Sequence, residues 1–366
     1  MEYIAIRGIG TAVPSYRLEQ EDASRRLKEA LRDRPTDARW VQRIFASCGV
    51  ESRYTCEPEL LKPADSCRYI PASAEVRIPT TAERMGLYRE ASVPLAEEAS
   101  RKALADSGIR PGDITHLIAA SCTGMFLPGL DTELSGRLDL RADVNRTPLT
   151  FLGCAAGLTA LRLALETVRA DREAQVLVVM TELCSLHIQP SFDREELFTS
   201  ALFGDGASAC VVAAPVPGQR GILAIHEAQA ATIPRSAELM QWTIGNYGFR
   251  LRLSPEIPAL IAEQVPQAVR TFGAGEEIPE LWAIHPGGRG IIDAVASAFR
   301  LTDGQVEASR SVLREYGNMS SATILFVLDR LRERQRQANE QAKQGIALAF
   351  GPGMVAEMLR FSYQPC

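Results

Sequence analysis

"PLTFLGCAAGLTALRLALE", residues 148–166, decides how the chain is read. An apolar run and a glycine lead into Cys154, three small residues follow, and leucines and alanines then recur at helical spacing. The pattern describes a strand, a sharp turn and an amphipathic helix whose first turn carries a thiol that its small neighbours leave uncovered. A helix N-terminus bears about half a positive charge and several unpaired N–H groups. Such a place favours thiolate, so Cys154 is expected to titrate below the free value of roughly 8.5. An intracellular cysteine taken at random is a small packing residue, and the rest of the chain must show why this one differs.

The sequence repeats itself once. Around residue 216, "APVPGQRG" reads as a linker and divides the chain into halves 1–215 and 216–366. The first half has a helical pattern, "ASVPLAEEASRKALADSG", then the strand "THLIAASC" ending at Cys122. The second has "IPALIAEQVPQAVRTFG", then the strand "LWAIH" ending at His285. His285 lies 163 residues after Cys122, and Asn318 in "GNMSSATILFVLDRL" lies 164 residues after Cys154. Further strands follow in both halves, "QVLVVMTEL" with "ASACVVAA" and "GIALAFGPG" with "MVAEMLRFS". One α/β unit used twice explains this order. Near-continuous apolar strands predict sheets covered by helices on both faces. A pseudo-twofold between the halves would bring Cys154, His285 and Asn318 together at the junction, where α/β folds bind ligands.

Composition narrows the class. The chain has 366 residues, 46% hydrophobic and 23% charged, enough for a large core in two domains or one double-sized unit. A net charge of −5 without a basic block argues against a nucleic-acid partner. The opening "MEYIAIRGIGTAVP" lacks the charged and apolar regions of a signal peptide, and no run reaches the ~18 apolar residues of a membrane span. Eight cysteines without CxxC or CxxxC spacing indicate neither zinc nor a disulfide framework. The expectation is a reduced, cytoplasmic protein.

Cysteine and histidine alone would suit a protease or a redox site. With an asparagine amide in place of an acidic third member, the set suits thioester carbonyls and the enolates derived from them. Cys154 is the candidate nucleophile, His285 its proton partner, and Asn318 the oxyanion donor. His116 and His226, within apolar strand patterns, are expected to be packing residues, and Gly204 and Gly206 to serve a turn.

Taken together, "LGCAAG", "HPGG", "GNMSSATILFVLD", "LFGDGAS" and "FGPGMVAEM" make the whole chain resemble type III polyketide synthases of the chalcone synthase-like kind, in the thiolase superfamily. The resemblance implies a duplicated, five-layered αβαβα thiolase-like fold and a homodimer. It implies iterative decarboxylative condensation of malonyl-CoA onto an acyl-CoA starter held on Cys154, with cyclisation to a pyrone- or resorcinol-type product and no metal or redox cofactor. By the same resemblance His285 and Asn318 bind the malonyl thioester oxygen, Phe203 steers decarboxylation, and Ser320 sits near the nucleophile. Arg43 matches an arginine at the CoA tunnel mouth, whereas Trp40 and Ser47 stand where plant members carry further basic residues. Arg53 in "SRY" also fits the family pattern. Three pocket positions depart from the plant pattern. Leu251 replaces a gatekeeper phenylalanine, His187 replaces a cavity threonine with Cys184 three residues before it, and Leu127 replaces a methionine that reaches across the dimer. The alternatives are a ketoacyl-acyl-carrier-protein synthase III-like enzyme making one condensation, and a non-catalytic acyl-CoA-binding protein of the same fold.

Overall fold

The computed structural model describes residues 3–70, 76–216, 218–219, 221–272, 279–338 and 341–365. In chain order the strands are β1 Ile4–Ala12, β2 Tyr16–Glu19, β3 Ser52–Thr55, β4 His116–Ser121, β5 Asn145–Thr150, β6 Val176–Leu183, β7 Asp205–Ala213, β8 Ile222–Thr232, β9 Met240–Gly245, β10 Gly248–Leu253, β11 Leu281–Ile284, β12 Lys343–Gly351 and β13 Val355–Gln364. Among the described residues, nine of them form one sheet in the order β11-β12-β13-β8-β1-β7-β6-β4-β5.

That order is the duplication made visible. β4 and β6 are parallel, then β7 and β1 follow antiparallel. β11 and β12 are parallel, then β13 and β8 follow antiparallel. The two sets meet where β1 pairs antiparallel with β8, Ile4 opposite Ile225 and Ile6 opposite Leu223. β5 adds an outer strand to the first set, with no counterpart in the second among the described residues.

Side-chain alternation sorts the strands between layers. Ile118, Val178 and Met180 from the first set, with Ala283, Ala347 and Ala349 from the second, face one shared core. Into it pack the helices Ala156–Ala170 and Thr323–Gln337, which carry Leu158, Leu161, Ile324 and Leu328. The opposite faces, Leu117, Leu177 and Val179 on one side and Trp282, Ile284 and Leu348 on the other, meet outer helices. Thr81–Ser107 covers the first set, and Ile257–Phe272 with Arg289–Phe299 covers the second. Helix, sheet, helix, sheet and helix make the five layers of a thiolase-like α/β fold.

The helix Thr81–Ser107 starts before residue 91, where the sequence pattern placed it. Its start is set by a capping box, in which Thr80 and Glu83 satisfy each other's backbone N–H. Among the described residues no helix is long and apolar enough to cross a membrane.

The two central helices nearly touch where they begin. A Cβ on Gly157 would lie 2.6 Å from the Ser321 carbonyl oxygen, 2.7 Å from Ile324 Cγ2 and 3.0 Å from Met180 Sδ. Gly157→Val therefore has to push the helices apart, at a cost of about 1–3 kcal/mol from overpacking. Urea unfolding should show a lowered midpoint at unchanged slope, and an unshifted midpoint would contradict this contact.

Candidate active site

The turn before Cys154 is built from left-handed backbone. After β5 the chain passes Phe151 at φ 56° and Gly153 at φ 61°; the first is a strained conformation held by its surroundings, and the second is one that glycine adopts freely. Gly153 has no alternative, since a Cβ there would meet Pro352 Cδ at 2.3 Å. Cys154 then sits in a 3-10 turn, Gly153–Ala155, that runs into the helix Ala156–Ala170. The second half repeats the device: Ser320 has φ 46° and begins a 3-10 turn, Ser320–Ala322, that feeds the helix Thr323–Gln337. Asn318 closely precedes it. His285 follows β11, its N–H donating to Leu348 O at 2.8 Å and its carbonyl accepting from Gly287 N–H at 2.9 Å.

These three residues converge. Cys154 Sγ lies 3.9 Å from both Oδ1 and Nδ2 of Asn318. Asn318 Oδ1 accepts from the Ser320 N–H at 2.8 Å, which leaves the NH₂ end toward the sulfur and toward Gly287 O at 3.5 Å. His285 is buried, and neither ring nitrogen has a hydrogen-bond partner. Buried polar atoms are almost always paired, so an orphaned imidazole lining one cavity with the Cys154 thiol marks a place for an incoming polar group.

The expectation of a lowered Cys154 pKa is corrected by the structure. Burial pushes the thiol up from 9.0 to about 11, outweighing helpful hydrogen bonds from Ser320 and Asn318. That rise corresponds to about 3 kcal/mol, against about 0.3–1 kcal/mol for a helix terminus. Desolvation wins. Burial likewise lowers His285 from 6.5 to about 3, so at neutral pH the resting site holds a thiol and a neutral imidazole.

All three line a cavity of about 830 Å³ together with Phe203, Leu251, Cys184 and Ser320. Phe203 is held by a strand-like bridge to Asn318. Three residues singled out in the sequence lie outside the lining of this cavity. Arg43 is exposed on the helix Pro35–Ser47, while Trp40, Ile44 and Ser47 of that helix face the cavity. Basic groups on the cavity wall come instead from Arg194, Arg252 and Arg289. Leu127 is 91% exposed on the loop after β4. His187 lies behind the wall: its Nε2–H donates to Thr123 O at 2.6 Å, and its Nδ1 accepts from Phe249 N–H at 2.8 Å. The ring stacks on Phe249 with centroids 4.3 Å apart, so it buttresses the cavity rather than filling it.

Two residues went unseen in the sequence. Trp242 on β9 lines the cavity and donates its indole N–H to Cys122 O at 2.9 Å. Nothing local marked it. Glu182 was legible in principle, as an acid inside the wholly buried strand "VLVVMTEL". Its carboxylate accepts from Cys122 N–H (3.1 Å), Thr123 Oγ1 (2.7 Å), Ser321 Oγ and the Cys122 thiol (3.2 Å). Burial raises its pKa, and these hydrogen bonds work against the rise. Cys122 Sγ in turn lies 3.1 Å from Ser320 Oγ.

Residues 3–216 match the N-terminal domain model of chalcone and stilbene synthases, and residues 224–362 match the C-terminal one. The chain belongs to the chalcone and stilbene synthase family. Similar proteins include bisdemethoxycurcumin synthase of Oryza sativa (33% identical, covering 97% of this chain and 91% of that one). An α-pyrone synthesis polyketide synthase-like protein of Mycobacterium tuberculosis is 30% identical, covering 97% and 90%. Among solved structures, a polyketide synthase of the brown alga Ectocarpus siliculosus superposes with a TM-score of 0.88 at 28% identity, covering 99% of both chains. The C-terminal type III polyketide synthase domain of Steely1 from Dictyostelium gives 0.89 at 26% identity, covering all of both. This type III polyketide synthase is thus an acyltransferase-type condensing enzyme that works on CoA thioesters and needs no cofactor.

The pKa values set a test. Because the thiol rests protonated, alkylation of Cys154 by iodoacetamide should accelerate steadily from pH 7 to beyond pH 9, following a pKa of about 11. Site-resolved mass spectrometry would check this. A rate that levels off between pH 6 and 8 would instead reveal a stabilised thiolate.

Proposed function

We propose that Cys154, His285 and Asn318 carry out iterative decarboxylative condensation of malonyl-CoA onto an acyl starter. The observation that carries this is the buried, unpartnered imidazole of His285 lining one cavity with the Cys154 thiol and the oriented Asn318 amide. In loading, the Cys154 thiol passes its proton to His285 as sulfur attacks the acyl-CoA carbonyl, and the departing CoA thiolate takes that proton. In extension, the Asn318 NH₂ and the His285 N–H donate to the malonyl thioester oxygen. As CO₂ leaves, the electrons of the broken C–C bond become an enolate held by those donors. The enolate carbon then attacks the Cys154 thioester, and Cys154 leaves as thiolate. Phe203, bridged to Asn318, closes the apolar side of this reaction space.

Arg194, Arg252 and Arg289 on the cavity wall are the cations positioned to meet CoA phosphates, in place of the exposed Arg43. Leu251, Met240 and Phe198 give the wall an aliphatic and aromatic lining. That lining favours flexible aliphatic starters of medium or long chain, with each buried methylene adding about 0.8 kcal/mol, and pyrone- or resorcinol-type products. The halves 1–215 and 216–366 act as paired domains. Exposed Leu127 and Met125, on the loop after β4, suit burial against a second copy in a cytoplasmic homodimer.

Three variants test the roles. Cys154→Ala should abolish product in a folded protein. Asn318→Ala should slow malonyl-CoA decarboxylation by about 10²–10³-fold while leaving single-turnover acylation of Cys154 near wild type. His285→Ala should damage both half-reactions. Equal loss of both half-reactions in Asn318→Ala would overturn the assignment.

For the substrate, kcat/KM should favour dodecanoyl-CoA over coumaroyl-CoA, and Leu251→Phe should erode that preference. A coumaroyl-CoA preference in the wild type would refute the aliphatic reading.

A further inference from the structure

Arg53, on β3, is 3% exposed, yet its hydrogen-bond partners are carbonyls rather than carboxylates. Its guanidinium donates to Ala201 O at 3.2 Å, to Ser200 O at 2.5 Å and to the Gln20 side-chain oxygen. Gln20 Nε2 donates to the same Ala201 oxygen at 2.8 Å. Ser200 and Ala201 are in the last turn of the helix Arg194–Leu202. The final carbonyls of a helix lack internal partners and carry the negative end of its dipole. A buried cation with several fixed donors meets both needs. Burial lowers the arginine only to about 10, so it stays charged at neutral pH.

The end of that helix leads directly into the reaction centre. Leu202 O accepts the Asn318 N–H at 2.9 Å, and Gly204 N–H donates to Asn318 O at 3.0 Å. Phe203 is thereby set beside Asn318. The crossing is tight against the arginine stem. A Cβ on Gly204 would lie 3.0 Å from Arg53 Cβ and 2.6 Å from Tyr316 O, and one on Gly317 would lie 2.7 Å from Leu202 O.

We infer that Arg53 is a positioning residue for the condensation: by capping the helix Arg194–Leu202 it fixes Leu202–Gly204, and through them the Asn318 amide and the Phe203 ring. It does so without touching the cavity. The inference rests on the reading of Asn318 as the donor to the malonyl thioester oxygen.

The test uses Arg53→Met, which keeps the stem and removes the cation, and Arg53→Lys, which restores a cation with fewer fixed donors. Both are assayed for kcat and KM of malonyl-CoA decarboxylation and for single-turnover acylation of Cys154. Arg53→Met should lower the decarboxylation kcat about 10–100-fold, as small misplacements do, with KM and acylation little changed. Arg53→Lys should recover most of the loss. If Arg53→Met does not fold, Arg53→Lys must still show a selective fall in decarboxylation, smaller but outside error. In an Asn318→Ala background, removing the cation should cost nothing further, because the two act through one group. Losses that hit both half-reactions equally and track the folded fraction would overturn the inference, as would multiplicative losses in the double variant. Should Asn318→Ala itself leave decarboxylation intact, the assigned role of Asn318 falls, and the role of Arg53 falls with it.

Discussion

The first turns of the two central helices approach so closely that only glycine fits between them, with Gly157 against the Ser321 carbonyl and the Ile324 side chain. The active site depends on that contact. It brings the turn carrying Cys154 to the turn following Asn318, although the two residues are 164 apart in the chain. Glu182 reinforces the join from inside the first set of strands, accepting from Cys122 and Thr123 on one side and from Ser321 on the other. A buried carboxylate with several donors is costly to assemble and costly to break. Its place at the seam gives the two sets of strands one relative position.

Burial then sets the chemistry. A helix terminus alone would favour thiolate, but the cavity walls remove the water that a thiolate and an imidazolium both need. The resting site is therefore neutral, and charge arises only as substrate is attacked. The same desolvation has two consequences. The enolate of the proposed mechanism would find preset donors in place of water. The fold also carries two imidazoles, His285 and His187, held neutral by burial, each with a pKa of about 3. The unfolded chain binds protons on both as pH falls through about 6.5, while the folded chain does not. This stabilisation is present above that range and drains away toward pH 3.

The cavity is walled on one side by the β9–β10 hairpin, which lies outside the nine-stranded sheet. It is hung on the reaction centre by a few bonds: the Trp242 indole to Cys122 O, and Phe249 N–H to His187, which itself holds Thr123 O. At the far edge Arg250 reaches Glu196 at 2.6 Å. The hairpin stands apart from the sheet that carries the central scaffold. That separates Leu251 and Trp242, on the wall, from Cys154, His285 and Asn318, on the central scaffold.

Much of this was legible from residue order. Strand and helix periodicity, the nearly equal offsets between Cys122 and His285 and between Cys154 and Asn318, and the glycine before Cys154 are local or repeating features. They disclosed the duplicated α/β architecture and singled out three residues that the structure brings to one cavity, because backbone preference and repetition act over short stretches or copy whole units. What the sequence could not determine was every quantity fixed by distance between segments. The rise in the Cys154 pKa comes from burial in a cavity whose walls are drawn from segments far apart in the chain. Arg43 turned outward and His187 turned behind the wall because a one-residue choice of helix face or turn is settled by packing, not by residue type. Trp242 entered the site from a hairpin whose own pattern names no function. Residue types and their spacing determined which chemistry is present, and tertiary burial decided in which protonation state it rests and which neighbours shape it, since solvation depends on everything that surrounds a group in space.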